Sequence, residues 1–135
     1  MDNKNLIIIP SLSSFKNTLG IYDRKIKGAV FIPNKSKYIN LYYLQSALRQ
    51  LKFLNLFGWV TNEKGFQRGG HRIKKLFDLY NKKEIDVAIC YSKEDLLRYE
   101  FSLEDRKKSI EKSGIPIYCI KDCILIKESE MISLS

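Results

Sequence analysis

Residues 85–91, Ile-Asp-Val-Ala-Ile-Cys-Tyr, form a near-continuous apolar run of strand length. A strand with one face in water alternates apolar and polar residues, because successive side chains point to opposite faces. A run that hardly alternates must be covered on both faces, as in the parallel sheets of α/β proteins. Residues 85–91 therefore predict a central strand with helices on either side.

The rest of the chain agrees with that frame. Strand-sized apolar runs recur at 6–10, 28–32, 59–61 and 115–120. Between them the spacing changes to three and four. Leu41, Leu44, Leu48 and Leu51 predict a helix over about 38–57, with Gly58 as its C-terminal cap. Ile73, Leu76, Phe77 and Tyr80 predict a second helix, from near Gly70 to Asn81-Lys82-Lys83. Leu96, Tyr99, Leu103 and Ile110 predict a third, stopped by Gly114. Near the start, Ser11 and Ser13 or Ser14 can cap a short helix around Phe15–Leu19 that Gly20 ends. Residues 123–127 read as an edge strand or the start of an ordered tail. The alternation predicts a three-layer α/β domain, with a mainly parallel sheet of four or five strands and right-handed crossovers.

Composition narrows the partners. The 135 residues suit one domain, and 44 % apolar residues suffice for a core. No apolar run approaches the ~18 residues that span a bilayer, and no cleavage site of small residues follows Leu6–Ile9. A membrane partner is not expected. The formal charge is +9, with 24 Lys and Arg against 15 Asp and Glu. Such an excess favours an anionic partner, most often nucleic acid, although a lysine-rich soluble surface gives the same sum. Cys119 and Cys123 have no neighbouring histidine, so a zinc site is not expected. Cys90 reads as a small buried hydrophobe. Three thiols without a pairing scheme fit a reducing, cytoplasmic setting. Asp86 and Glu94 lack a third ligand at metal-binding spacing, and no phosphate-binding glycine loop is present. Neither metal nor cofactor is expected.

Five short motifs follow one another in a fixed order: Gly28-Ala29-Val30-Phe31-Ile32-Pro33-Asn34-Lys35-Ser36, Leu44-Gln45-Ser46-Ala47-Leu48-Arg49, Phe57-Gly58-Trp59-Val60, Arg68-Gly69-Gly70, and 85–98 ending in Ser92-Lys93-Glu94-Asp95-Leu96-Leu97-Arg98. In this order and at these spacings they resemble the catalytic domain of the serine recombinases, the resolvase and invertase family. The resemblance covers about residues 28–121 and leaves 1–27 as an N-terminal extension with room for an extra strand. It implies that Ser36 stands at the nucleophile position. Arg68 and Arg98 would be the cations that meet the phosphate, and Lys35, Lys37, Gln45 and Lys93 would help bind the substrate. The substrate would be DNA, cut by formation of a phosphoserine link without metal.

Two departures bear on that chemistry. Asn34 and Asp95 stand where the family carries arginines. Guanidinium groups bind two phosphate oxygens at once and meet the charge that develops during attack. Asparagine is neutral, and aspartate has the wrong sign. The expectation is a recombinase-like domain, from a mobile element or its remnant, whose strand cleavage and exchange are lost or impaired. The 135 residues leave no room for the family's long dimer helix and helix-turn-helix domain, so DNA contact is expected to be weak and not sequence-specific. A homo-oligomer is compatible with the resemblance. The competing expectation is a non-catalytic interaction or regulatory module on the same fold. Ser36 also fits a surface or capping serine, Arg68-Gly69-Gly70 an anion-binding turn at a helix N-terminus, and His71 an exposed or capping side chain.

Overall fold

The computed structural model describes residues 9–32, 41–52, 54–61, 70–92, 114–127 and 130–134. Their elements in chain order are helix α1 (Leu12–Leu19), strand β1 (Lys27–Ile32), helix α2 (Leu41–Gln50), strand β2 (Asn55–Thr61), helix α3 (Gly70–Asn81), and strands β3 (Val87–Cys90), β4 (Ile117–Cys119), β5 (Ile124–Lys127) and β6 (Glu130–Ser133). The expected third helix, carrying Leu96, Tyr99, Leu103 and Ile110, lies outside the described residues.

All six strands join one sheet in the order β2-β1-β3-β4-β5-β6. The first four are mutually parallel. Strand β5 then turns back against β4, and β6 against β5. The sheet is thus mixed and six-stranded, which corrects the expectation of a mainly parallel sheet of four or five. The expectation fell short because the final hairpin needs no crossover. Ile124–Lys127 and Glu130–Ser133 are each four residues long, too short for a clear period. Strand β3 does lie inside the sheet, between β1 and β4, and all four of its residues are buried.

Side-chain alternation splits the interior into two halves. Val30, Val87, Ile89, Tyr118 and Leu125 point to one face, where they meet Phe15 of α1 and Leu44 and Ala47 of α2. Ala29, Ala88, Cys90, Ile117 and Cys119 point to the other, where they meet Leu76 of α3. The register carries this rule across strands: Ala29 faces Ala88 and then Ile117, while Val30 faces Ile89 and then Tyr118. Helices therefore cover both faces, as the unalternating run at 85–91 requires.

Local chemistry explains the helix limits. Ser11 caps α1, its hydroxyl accepting from the Ser14 N–H at 3.1 Å. Gly20 closes that helix at φ 72°, in the left-handed region that suits glycine. Helix α3 ends in a Schellman turn. The Glu84 N–H reaches the Leu79 carbonyl and the Lys83 N–H the Tyr80 carbonyl, both at 2.9 Å, with Lys83 itself at φ 62°.

Two expected boundaries need correction. Helix α2 stops at Gln50 rather than near 57, and Gly58 lies within β2. Leu51 and Leu54 continue the helical spacing, yet both are buried in a turn in which the Leu54 N–H meets the Leu51 carbonyl. Gly58 falls at a register shift: Gly28 pairs with Leu56 but Val30 with Trp59, so β2 holds one residue more than β1 there. A bulge of this kind is a common place for glycine in a strand. At the N-terminus, Ile9 and Pro10 form no strand and instead pack toward the core; residues 6–8 lie outside the described residues.

Candidate functional site

The connections give the sheet a switch point. From β1 the chain passes through α2, on one face, out to β2. It then returns through α3, on the other face, to β3 on the far side of β1. In open α/β sheets, ligands bind at the carboxyl ends of strands where the order reverses in this way. The relevant ends here are Ile32 of β1, Thr61 of β2 and Cys90 of β3. Ile32 pairs directly with Thr61, and Val30 with Ile89, so the three ends lie side by side along one edge.

The sequence-predicted site residues relate to that edge as follows. Lys35, Ser36 and Lys37 continue from β1, Arg68 continues from β2, and Lys93 and Arg98 continue from β3. All six, with Asn34 and Asp95, lie outside the described residues. Gln45 alone is described. It sits on the exposed side of α2, with Tyr42 three residues before it and Arg49 four residues after, both also exposed. The buried side of the same helix carries Leu44 and Ala47. Helix α2 contains no acidic residue.

Described residues form the floor beneath the edge. Tyr91 and Ser92 follow β3 and are buried. The Tyr91 ring meets Tyr43 of α2 edge-on at 6.1 Å, so α2 braces the carboxyl end of β3. The Cys90 thiol donates to the Ser92 carbonyl at 3.4 Å. Behind them Tyr118 meets Phe15 edge-on at 5.0 Å and donates its hydroxyl to the Cys123 sulfur at 3.8 Å. Burial, followed by the neighbouring Cys123, pushes the Tyr118 phenol well above its ordinary range.

The opposite edge has an anchor that the sequence reading did not find. Asp86 accepts from both terminal nitrogens of Arg24 at 2.7 Å and from the Lys27 N–H at 2.8 Å. Its own N–H donates to the Lys27 carbonyl at 2.7 Å. One carboxylate thus pins the amino ends of β1 and β3. Burial pulls the Asp86 pKa upward, but the Arg24 hydrogen bonds and the Lys27 N–H outweigh it and hold the group below the ordinary carboxylate range. The hydrogen bond to Asp86 in turn raises the Arg24 pKa. The one available signal was an aspartate inside the otherwise apolar run 85–91.

All three cysteines are buried and none is in a disulfide. Among the described residues no three His, Cys, Asp or Glu side chains cluster in a way that would hold a metal ion. Among them, too, no helix is long and apolar enough to cross a membrane. The carboxyl ends of β1, β2 and β3 thus lie side by side at the switch point, and the segments that continue from them lie outside the described residues. Compared with known proteins, the chain matches no family model, no curated protein and no solved structure.

Proposed function

We propose that this chain is a serine-recombinase-like DNA-binding domain in which strand cleavage and exchange are lost or impaired. One observation carries the reading: the segments bearing Ser36, Arg68 and Arg98 continue from three neighbouring strand ends, β1, β2 and β3, on one edge. A nucleophile and its cations must reach one phosphate from different parts of the chain, and this topology starts all three segments side by side. The net charge of +9 supports an anionic ligand.

In this reading the Ser36 hydroxyl would attack phosphorus, and Arg68 and Arg98 would meet the charge on the phosphate oxygens. Lys35, Lys37, Gln45 and Lys93 would hold the backbone. The exposure of Gln45 beside Arg49 on an acid-free helix is compatible with that role. Asn34 and Asp95 weaken the cation set. Removing one such donor costs roughly 10²–10³ in rate, so two changes slow the step by on the order of 10⁴-fold or more, with the proviso that such losses need not add.

The test has two readouts. Labelled duplex DNA is titrated at about 50 mM and about 200 mM salt, where phosphate contacts should lose affinity steeply and without sequence preference. Covalent protein–DNA adducts are then sought on supercoiled and nicked DNA, with Ser36→Ala as control. Salt-sensitive binding without an adduct is the expected result. An adduct that disappears in Ser36→Ala would make the domain an active strand transferase. Absence of binding at the lower salt would reject DNA as the partner and favour a protein-interaction module.

A further inference from the structure

We propose that Cys90 and Cys119 form a redox-active pair that closes to an intramolecular disulfide when the folded protein meets a hydroperoxide. The two residues occupy directly facing positions on neighbouring parallel strands. Their sulfurs lie 3.5 Å apart. Neighbouring strands run ~4.8 Å apart, which falls inside the Cα separation of about 4.4–6.8 Å that a disulfide bridges. Bond formation brings the sulfurs to about 2.05 Å, a contraction of about 1.5 Å. Both side chains lie in the half of the core beneath α3, among Leu76, Ile115 and Ile117.

Cys123 is excluded from the pair by the sheet itself. It packs in the other half of the core, where its sulfur meets the Tyr118 hydroxyl. Tyr118 and Cys119 are consecutive in β4 and point to opposite faces. The native fold thus selects Cys90–Cys119. The unfolded chain would select otherwise: Cys119 and Cys123 are four residues apart, whereas Cys90 and Cys119 are 29 apart, and shorter loops close more readily.

Position makes the pair reachable in spite of its burial. Cys90 and Cys119 are the last residues of β3 and β4. Breaking the two hydrogen bonds that continue the pairing past them, from the Ile120 N–H to the Cys90 carbonyl and from the Lys121 N–H to the Tyr91 carbonyl, would open this end without unfolding the sheet, and local openings of this kind cost less than global unfolding. Hydrogen peroxide is also close to water in size. In the first step one cysteine, as thiolate, attacks a peroxide oxygen. An S–O bond forms, the O–O bond breaks, and the departing hydroxide takes a proton to leave as water. In the second step the other cysteine sulfur attacks the sulfenic sulfur. An S–S bond forms, the S–O bond breaks, and the thiol proton leaves with the hydroxide as a second water. Two sulfurs are oxidised, one peroxide is reduced, and two waters result. Closure also removes the Cys90 S–H that donates to the Ser92 carbonyl, so it acts on the backbone from which residues 93–98 continue. A thiol reductant reverses it.

The experiment uses the full chain in its folded state. It is treated with hydrogen peroxide, quenched, unfolded in the presence of an alkylating reagent, and mapped by mass spectrometry. The expected product is a monomer lighter by about 2 Da before alkylation, in which the Cys90 and Cys119 peptides are linked and Cys123 alone is alkylated. The same treatment in denaturant is expected to shift the linkage to Cys119–Cys123. The Cys90→Ala chain is expected to lose the native bridge. Should that variant fail to fold, the map of the native chain decides the matter. A bridge that includes Cys123 in the folded chain, separate sulfinic acids on Cys90 and Cys119, cross-linked dimers only, or three alkylatable thiols would each overturn the proposal.

Discussion

Replacing Asp86 by alanine tests how the two central strands are joined. The change removes the acceptor of the Lys27 N–H and the partner of Arg24. These losses differ in size. The Lys27 N–H is a backbone donor between two strands, and a hydrogen bond to a charged group contributes about 1.5–3 kcal/mol. The Arg24 side chain is 46 % exposed against 10 % for Asp86. Solvent screening therefore holds the ion pair to about 0.2–1 kcal/mol. The sum for Asp86→Ala is about 1.7–4 kcal/mol, whereas Arg24→Ala should cost under about 1 kcal/mol. Asp86→Asn keeps an oxygen for Lys27 but loses the charge, and should fall between the two. For a domain of this size each kcal/mol is worth about 3–4 °C in Tm. Denaturant titration and thermal melts of the three variants check the order. The pH dependence has a definite sign. The folded pKa of Asp86 lies below its ordinary value, so its contribution is complete above the unfolded pKa. It is lost as pH falls through the folded one. The gap between the native chain and Asp86→Ala should then close as pH drops from about 5 toward 2. Equal costs for Asp86→Ala and Arg24→Ala, or a gap that widens in acid, would refute the assignment of the main effect to the strand N–H.

Three further outcomes follow from the fold. Leu76→Ala removes the buried side chain that α3 packs against the sheet among its described residues and should cost about 2–5 kcal/mol in chemical denaturation. At two of the left-handed positions the signs oppose: Gly20→Ala should destabilise by about 1 kcal/mol, and Lys83→Gly should stabilise by about 0.5–1 kcal/mol, read as opposite shifts in Tm. Ser11→Ala removes the cap of α1 and should cost about 1 kcal/mol in the same melts.

The sequence was most legible where one physical rule acted alone. Ser11 and Gly20 bracket α1 because their capping chemistry is local. The run at 85–91 betrays an interior strand because only burial on both faces permits it. The path from α2 to β2 was misread because Leu51 and Leu54 satisfy helical spacing while serving a buried turn, and because the bulge glycine at 58 looks like a helix cap. Asp86 escaped notice since its value depends on Arg24, a residue 62 positions away, which no local pattern reports. The final hairpin was too short to show a period. The candidate site stands apart: of its seven residues only Gln45 is described, and the other six enter through motif order and the strand ends from which they continue.

The strand order also sets a folding problem. Strands β4, β5 and β6 meet as consecutive neighbours, with Ile117 and Ile126 paired across about nine residues. Strand β1 must instead find β3 across 59 residues, the separation of Lys27 and Asp86. Loop-closure entropy makes the longer search dearer by about 1.7 kcal/mol. The meander at the C-terminal side can therefore form early. Insertion of β1 between β2 and β3 is the late event, and it completes the carboxyl edge at the same moment. A chain halted just before that step would hold β3 with its β1-facing side unpaired, an interior strand briefly made into an edge. In that interval the incomplete sheet is most open to pairing with another copy of itself.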